Sequence, residues 1–194
     1  MKKFVTGVML LAAISAPAFA ANPGGYAAID LGSATFSGAT FGGTGGNLTF
    51  PNPGSFHISG GYHFDQNVGV EVGLAGIGDS TINSGFITET LKSSAFYVAA
   101  VGSLPLSSQF DLFGKLGLAS TKIDYTSNFF VPASASKGNV MFGLGGQYNF
   151  SQQFGLRVQY ENFGKVEFPA GTIFTNKPVS VGLSTFTVGA VFSF

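Results

Sequence analysis

The chain has 194 residues, of which 45% are hydrophobic and only 9% charged, against about 25% charged in an ordinary soluble domain. It is too apolar for a disordered linker, its length suits one domain, and its zero formal charge offers no basic surface to nucleic acid. Cysteine is absent and histidine numbers two, which rules out a disulfide framework and a thiolate metal site and leaves little room for a histidine metal centre; no cofactor is expected.

Lys2 and Lys3 precede an apolar run from Phe4 to Ile14, followed by Ala18-Phe19-Ala20, a small-x-small cleavage site. This is the three-part pattern of a secretory signal peptide. The run is short beside the roughly 20 residues that span a bilayer, and Pro17 breaks it, so a permanent helical anchor is disfavoured. Cleavage is expected between Ala20 and Ala21, giving a signal peptide at 1–20 and one exported domain at 21–194. Loss of the two lysines leaves seven basic against nine acidic residues.

After Ala20 no apolar stretch reaches 18 residues, so no membrane-spanning helix is expected. Residues alternate instead. Strands are predicted near 25–35, 54–64, 68–78, 91–104, 110–125, 138–150, 154–166 and 181–194. In the third, Val68, Val70, Val72 and Leu74 oppose Gly69, Glu71 and Gly73. In the sixth, Val140, Phe142, Leu144 and Tyr148 oppose Asn139, Gly143, Gly145 and Gln147. In the seventh, Phe154, Leu156, Val158 and Tyr160 oppose Gly155, Arg157, Gln159 and Glu161; in the eighth, Phe186, Val188, Ala190, Phe192 and Phe194 oppose Thr187, Gly189, Val191 and Ser193. Successive side chains of a strand point to opposite faces, so each segment has one bulky apolar face and one polar or small face.

The connections alternate in size. Asp65-Gln66-Asn67, Pro105 to Gln109 and Ser151-Gln152-Gln153 are short; those near 36–53, 79–90, 126–137 and 167–180 are longer and rich in Gly, Ser, Thr, Asn and Pro. An up-and-down sheet with all short turns at one end has this rhythm. A weak repeat lies over it: Tyr62-His63-Phe64 through Gly69-Val70-Glu71-Val72 matches Tyr148-Asn149-Phe150 through Gly155-Leu156-Arg157-Val158, offset by 86 residues.

Two closed architectures suit eight antiparallel strands: a soluble barrel with its apolar face inside, and a membrane barrel with that face outside. Charges avoid the bulky face and gather on the other, as Asp30, Glu71, Asp111, Lys115, Arg157 and Glu161. Six charges are too few to coat a soluble exterior. A soluble barrel would also have to pack about twenty large side chains into an eight-stranded lumen that ordinary ones already fill. The membrane arrangement satisfies both constraints. Aromatics support it: Tyr62, Phe64, Phe110, Tyr148, Phe150 and Phe154 lie beside the short turns, with Phe192 and Phe194 at the end of the last strand; Phe36, Phe56, Phe86, Phe96, Tyr125, Tyr160, Phe163 and Phe186 lie nearer the long loops. Two such clusters are expected to form interfacial girdles.

These segments resemble the eight-stranded transmembrane domain of the outer membrane protein A family. The likeness runs over residues 25–194 and is strongest in Asn67-Val68-Gly69-Val70-Glu71-Val72-Gly73 and in Gly145-Gly146-Gln147-Tyr148 through Leu156-Arg157-Val158-Gln159-Tyr160. The resemblance implies that the last strand, with Phe186, Val188, Phe192 and the terminal Phe194, carries the assembly signal read by the barrel assembly machinery, with periplasmic chaperones as further partners during export. The sequence stops at the barrel, without a proline-rich hinge or a peptidoglycan-binding domain, so cell-wall anchoring is not expected.

The repeat places Glu71 and Arg157 at equivalent heights on opposite walls, both pointing inward, where long side chains can meet across a narrow barrel. A Glu71–Arg157 ion pair supported by Lys115 and Gln147 is expected to plug the lumen; the alternative is that trapped water solvates each charge. The resemblance implies a plug too, although the family usually has an acid at the Gln147 position, which puts a partner switch in doubt. Asp30 and Asp111 are expected at other depths, Glu161 near the outer rim, and Lys92 and Lys122 at the loop end, within reach of lipopolysaccharide phosphates.

His57-Ile58-Ser59 sets a histidine and a serine on one face, with Glu71 or Glu161 available to orient the ring, as nucleophilic catalysis requires. That face points into the lumen, away from acyl chains, so no catalytic role is expected. The glycine pairs at 42–43 and 45–46 precede a strand and not a helix, so they form no phosphate loop.

The sequence therefore predicts an all-β protein, an eight-stranded antiparallel up-and-down transmembrane β-barrel of the bacterial outer membrane with both termini on the periplasmic side. Its expected role is structural and surface-interactive (membrane integrity, adhesion) and non-enzymatic. The expected partners are outer membrane lipid and lipopolysaccharide, and a host or surface protein through the loops. The alternatives are a narrow channel and, after it, a lipid A-modifying enzyme.

Overall fold

The computed structural model describes residues 23–37, 52–84, 87–128, 132–168 and 179–194. The signal segment with Ala20 and Ala21, and Phe86 of the expected girdle, lie outside them. Every regular element described is a strand: β1 Gly24–Ser37, β2 Gly54–His63, β3 Val68–Ser84, β4 Ile87–Pro105, β5 Phe110–Ser127, β6 Ala133–Asn149, β7 Phe154–Phe168 and β8 Val179–Ser193. Each pairs antiparallel with the next, and β1 pairs with β8 to close the barrel. The seam ends where Gly25 and Phe194 exchange backbone hydrogen bonds at 3.1 and 2.9 Å.

The three short turns share one device. Asp65 Oδ1 accepts from the backbone N–H of Asn67 and Val68; Ser107 Oγ accepts from Gln109 and Phe110; Ser151 Oγ accepts from Gln153 and Phe154. A short polar side chain at the start of each turn thus holds the donors that a tight reversal leaves free.

Alternation sends the bulky residues outward. Leu118 is 69% and Leu144 64% exposed, whereas Glu71 is 1% and Arg157 2% exposed. At the long-loop end the outward apolar residues stop at Leu74, Phe96, Leu118, Val140, Tyr160 and Phe186. This band suits the roughly 9–11 residues with which a strand crosses a bilayer. β4 and β5, with 19 and 18 residues, run well beyond it, whereas β2 has only 10. The projecting wall exposes Asp79, Lys92, Lys122, Asp124, Lys137 and Glu167.

Three expectations are corrected. The connection read at 79–90 is mostly hairpin, since β3 and β4 pair as far as Ser84↔Ile87 after a register shift between Ile77 and Ser80. β6 starts at Ala133, because Ala133 to Lys137 pair with β5 despite their turn-like composition. Phe36, Tyr125 and Phe163 belong to no girdle: Tyr125 and Phe163 are 1% and 0% exposed, Phe36 is half-buried against the inner apolar clusters, and all three point inward. The inward parity of β7 runs through Phe163, then slips by one residue at a bulge where Gly164 takes φ 80°, a left-handed conformation open to glycine, and Val166 and Phe168 turn inward in its place.

The interior is consequently layered. A polar layer fills the middle. Above it, towards the long loops, Ile77, Tyr97, Met141, Phe163 and Leu183 pack together, and beyond them Leu91, Ile123, Tyr125, Val166, Phe168 and Val181.

Candidate functional site

The inward parity of five strands delivers charge to the middle layer: Asp30 from β1, His57 from β2, Glu71 from β3, Lys115 from β5, and Arg157 and Glu161 from β7, all buried. The register then brings three pairs together in one way, with the interacting side chains facing each other across a glycine on the strand between. Asp30 and Arg157 both pair with Gly189, Tyr26 and Glu71 with Gly61, and Lys115 and Glu161 with Gly143. A Cβ at Gly189 would overlap the Asp30 carboxylate, and one at Gly61 would overlap the Tyr26 ring. The tyrosine of β4 does the same on a neighbouring strand, with the Tyr97 ring over Gly73.

Arg157 lies between two acids. Its Nε and Nη2 donate to Asp30 Oδ1 and Oδ2 at 2.7 and 2.6 Å, Nη1 donates to Glu71 Oε2 at 2.9 Å, and Nη2 also donates to Ser59 Oγ at 2.9 Å. Glu71 takes four donors: Lys115 Nζ and Tyr97 Oη on Oε1, both at 2.6 Å, and Arg157 and Tyr26 Oη on Oε2, the latter at 2.8 Å. Lys115 uses its three protons on Glu71, on Gln159 Oε1 at 2.7 Å and on Glu161 Oε1 at 3.0 Å. Glu161 Oε2 sits 3.0 Å from His57 Nδ1 and accepts from Gln159 Nε2 at 3.3 Å. The hydrogen-bonding capacity of Glu71 and Lys115 is filled, which a buried ionic layer needs if it is not to cost more than it returns.

Of the four plug residues read from the sequence, Glu71, Arg157 and Lys115 meet. Gln147 stands apart: its Nε2 donates to Asn149 Oδ1 at 2.8 Å, nearer the short turns. Asp30, Tyr26, Tyr97 and Gln159 join the network without having been assigned to it, and Glu161 lies in the middle layer, not at the outer rim. Asp30, expected at another depth, reaches Arg157 through the β1–β8 closure, whose register no turn specifies. Asp111, on the same inner face, binds Asn149 Nδ2 at 2.8 Å and not the network.

The His57–Ser59 pair is split. His57 faces Glu161, and Ser59 accepts from Arg157. Phe163 caps the layer, with its ring edge-on to His57 at 6.0 Å. Lys92 is 3.1 Å from Asp79, Lys122 3.1 Å from Asp124, and Lys137 3.2 Å from Glu167, so Lys92 and Lys122, read as within reach of phosphate, already hold carboxylates. On β8, Phe186, Val188, Phe192 and Phe194 all point outward and are exposed.

Residues 6–194 match the family model described as outer membrane protein beta-barrel domain. The fold is similar to that of Ail, the attachment invasion locus protein of Yersinia pestis, solved with the heparin analogue sucrose octasulfate: TM-score 0.59 and 21% identity over 89% of this chain and 99% of that one. It is similar also to Neisserial surface protein A (TM-score 0.61, 16% identity, 88% and 97% covered). A third likeness is to the N-terminal barrel domain of Pseudomonas aeruginosa OprF (TM-score 0.56, 13% identity, 87% and 97% covered). Among curated proteins no sequence matches this chain.

Proposed function

Since the chain belongs to the outer membrane protein β-barrel domain family and resides in the bacterial outer membrane among lipid and lipopolysaccharide, we propose that it works there as a closed barrel, structural in its membrane part and interactive at its surface. The observation that carries this reading is the lumen. Arg157, Glu71 and Lys115 cross it with their partners satisfied, and Phe163, Met141 and Leu183 lie packed above them. An ionic layer under an apolar one gives water no favourable route. The wall of β3 to β6 carries the surface role, because its strands run beyond the outward apolar band and offer their exposed outer ends to a protein partner. Ail was solved with a sulfated sugar analogue, but here three of the exposed lysines are paired with acids, which favours a protein partner over a polyanion.

The reading extends to biogenesis. A signal peptide ending at Ala20 directs export, periplasmic chaperones carry the chain, and the outward Phe186, Val188, Phe192 and Phe194 of β8 present the signal to the assembly machinery. The chain is not an enzyme in this account, since the Ser59 hydroxyl accepts from Arg157 while His57 faces Glu161. Planar-bilayer recording of the refolded protein tests the closed lumen. The expected result is no steady conductance; a steady, wide conductance in the unmodified protein overturns the reading.

A further inference from the structure

Below the ionic layer the lumen opens towards the short turns, which in this family face the periplasm. The mouth there has a volume of about 220 Å3. Tyr26, His63 and Gln147 line both this mouth and a deeper recess of about 20 Å3 that ends on Glu71, Lys115 and Arg157.

Asp111 forms one wall of the recess and is 4% exposed. Its Oδ2 is fixed by Asn149, which Gln147 fixes in turn. Its Oδ1 is buried and takes no hydrogen bond from any described residue. His63, stacked on Tyr26 with centroids 5.0 Å apart, likewise has a buried Nδ1 with no partner among the described residues. The nearby cations are committed elsewhere, Lys115 to Glu71 and Glu161 and Arg157 to Asp30 and Glu71. Four lumen carboxylates, Asp30, Glu71, Asp111 and Glu161, thus face two permanent cations, and Asp111 is the one without a basic partner. A carboxylate removed from water without a counter-ion is costly.

We propose that the periplasmic mouth is a binding site for a primary ammonium group, which enters the recess to meet Asp111 Oδ1 and His63 Nδ1 while its carbon chain lies in the mouth. The chemistry selects this class. An ammonium is the size of a water, and a water needs roughly 10–15 Å3. It carries three donors and no acceptor, which suits the unpaired Asp111 Oδ1 and, in the tautomer with the proton on Nε2, the unpaired His63 Nδ1. The Tyr26 ring lines the recess and favours a cation over a neutral donor, whereas the Phe113 ring already holds Lys115 Nζ 5.5 Å from its centroid. A divalent metal would want more oxygen ligands, and the described residues hold no group of three or more His, Cys, Asp or Glu able to bind one. The site is independent of the closed-lumen reading, since it needs only the mouth.

The test is an NMR titration of the refolded mature chain in detergent micelles at neutral pH, with propylammonium as probe and tetramethylammonium and sodium at matched ionic strength. Side-chain amides of Asn149 and Gln147 and the His63 ring report binding. Saturable shifts are expected with propylammonium alone, lost in Asp111→Asn and weakened in His63→Asn. Heat-modifiable gel mobility confirms that each variant is folded, and the histidine variant serves if the aspartate variant is not. No saturable shift with propylammonium, equal shifts with tetramethylammonium or sodium, or an unchanged titration in a folded variant would overturn the proposal.

Discussion

Arg157 grips Asp30 across a glycine. The guanidinium on β7 reaches the carboxylate on β1 at 2.6 and 2.7 Å, and Gly189 of β8 lies between them with no side chain to block the way. Gly189→Val is expected to push Asp30 aside and leave a buried guanidinium half-paired. Losing one partner of a buried pair costs about 3–5 kcal/mol. Denaturant unfolding in detergent or lipid should show a loss of that order, and Gly102→Val, whose Cβ would meet nothing within 4 Å, should show little.

The tyrosines offer a finer measurement. Tyr26 and Tyr97 each donate one hydrogen bond to Glu71 from opposite sides. Tyr26→Phe and Tyr97→Phe each remove one donor while keeping the ring, at about 1.5–3 kcal/mol for a bond to a charged acceptor. The double variant should depart from the sum, because both donors share one carboxylate. Strict additivity in a double-mutant cycle would show that Glu71 is not the common node.

How far this network could be read from the sequence depended on what set each register. Glu71 and Arg157 were legible because both sit in hairpins closed by short turns, and the 62–72 and 148–158 repeat aligned the two hairpins. Asp30 and Glu161 were visible as inward residues but not as partners: one pairing crosses the barrel closure and the other crosses β6, which follows a long connection. The membrane halves of the strands were legible, since alternation survives there in every segment. The outer halves of β3, β4 and β6 were not, because above the membrane their outward face is Ser, Thr, Gly and Lys, which reads as loop. Phe163 misled for a local reason: the bulge at Gly164 lies one residue beyond it, and aromatic residues near a strand end are expected in the lipid interface.

Two closures in series make a specific electrical prediction. Arg157→Met removes the centre of the ionic layer but leaves Phe163, Tyr125 and Phe168 packed above it. The single variant should remain closed in planar bilayers. Combining it with Phe163→Ala and Phe168→Ala should yield measurable conductance. A pore in the single variant would show that the apolar layer seals nothing.

Export gives a simpler expectation. Intact mass of the protein recovered from outer membranes should correspond to a chain starting at Ala21. A mass that includes Met1 to Ala20 would mean the apolar run at 4–14 is retained.

The two faces of the barrel wall point opposite ways, and the absence of native tryptophan makes that measurable one site at a time. Val70→Trp, Leu156→Trp and Val188→Trp place a fluorophore on the outer face, and Phe163→Trp places one inside. In bilayers containing brominated lipid, the first three are expected to be strongly quenched and the fourth protected. Protection of the outer three, or quenching of the inner one to the same degree, would contradict a barrel whose apolar wall meets lipid and whose charges are enclosed.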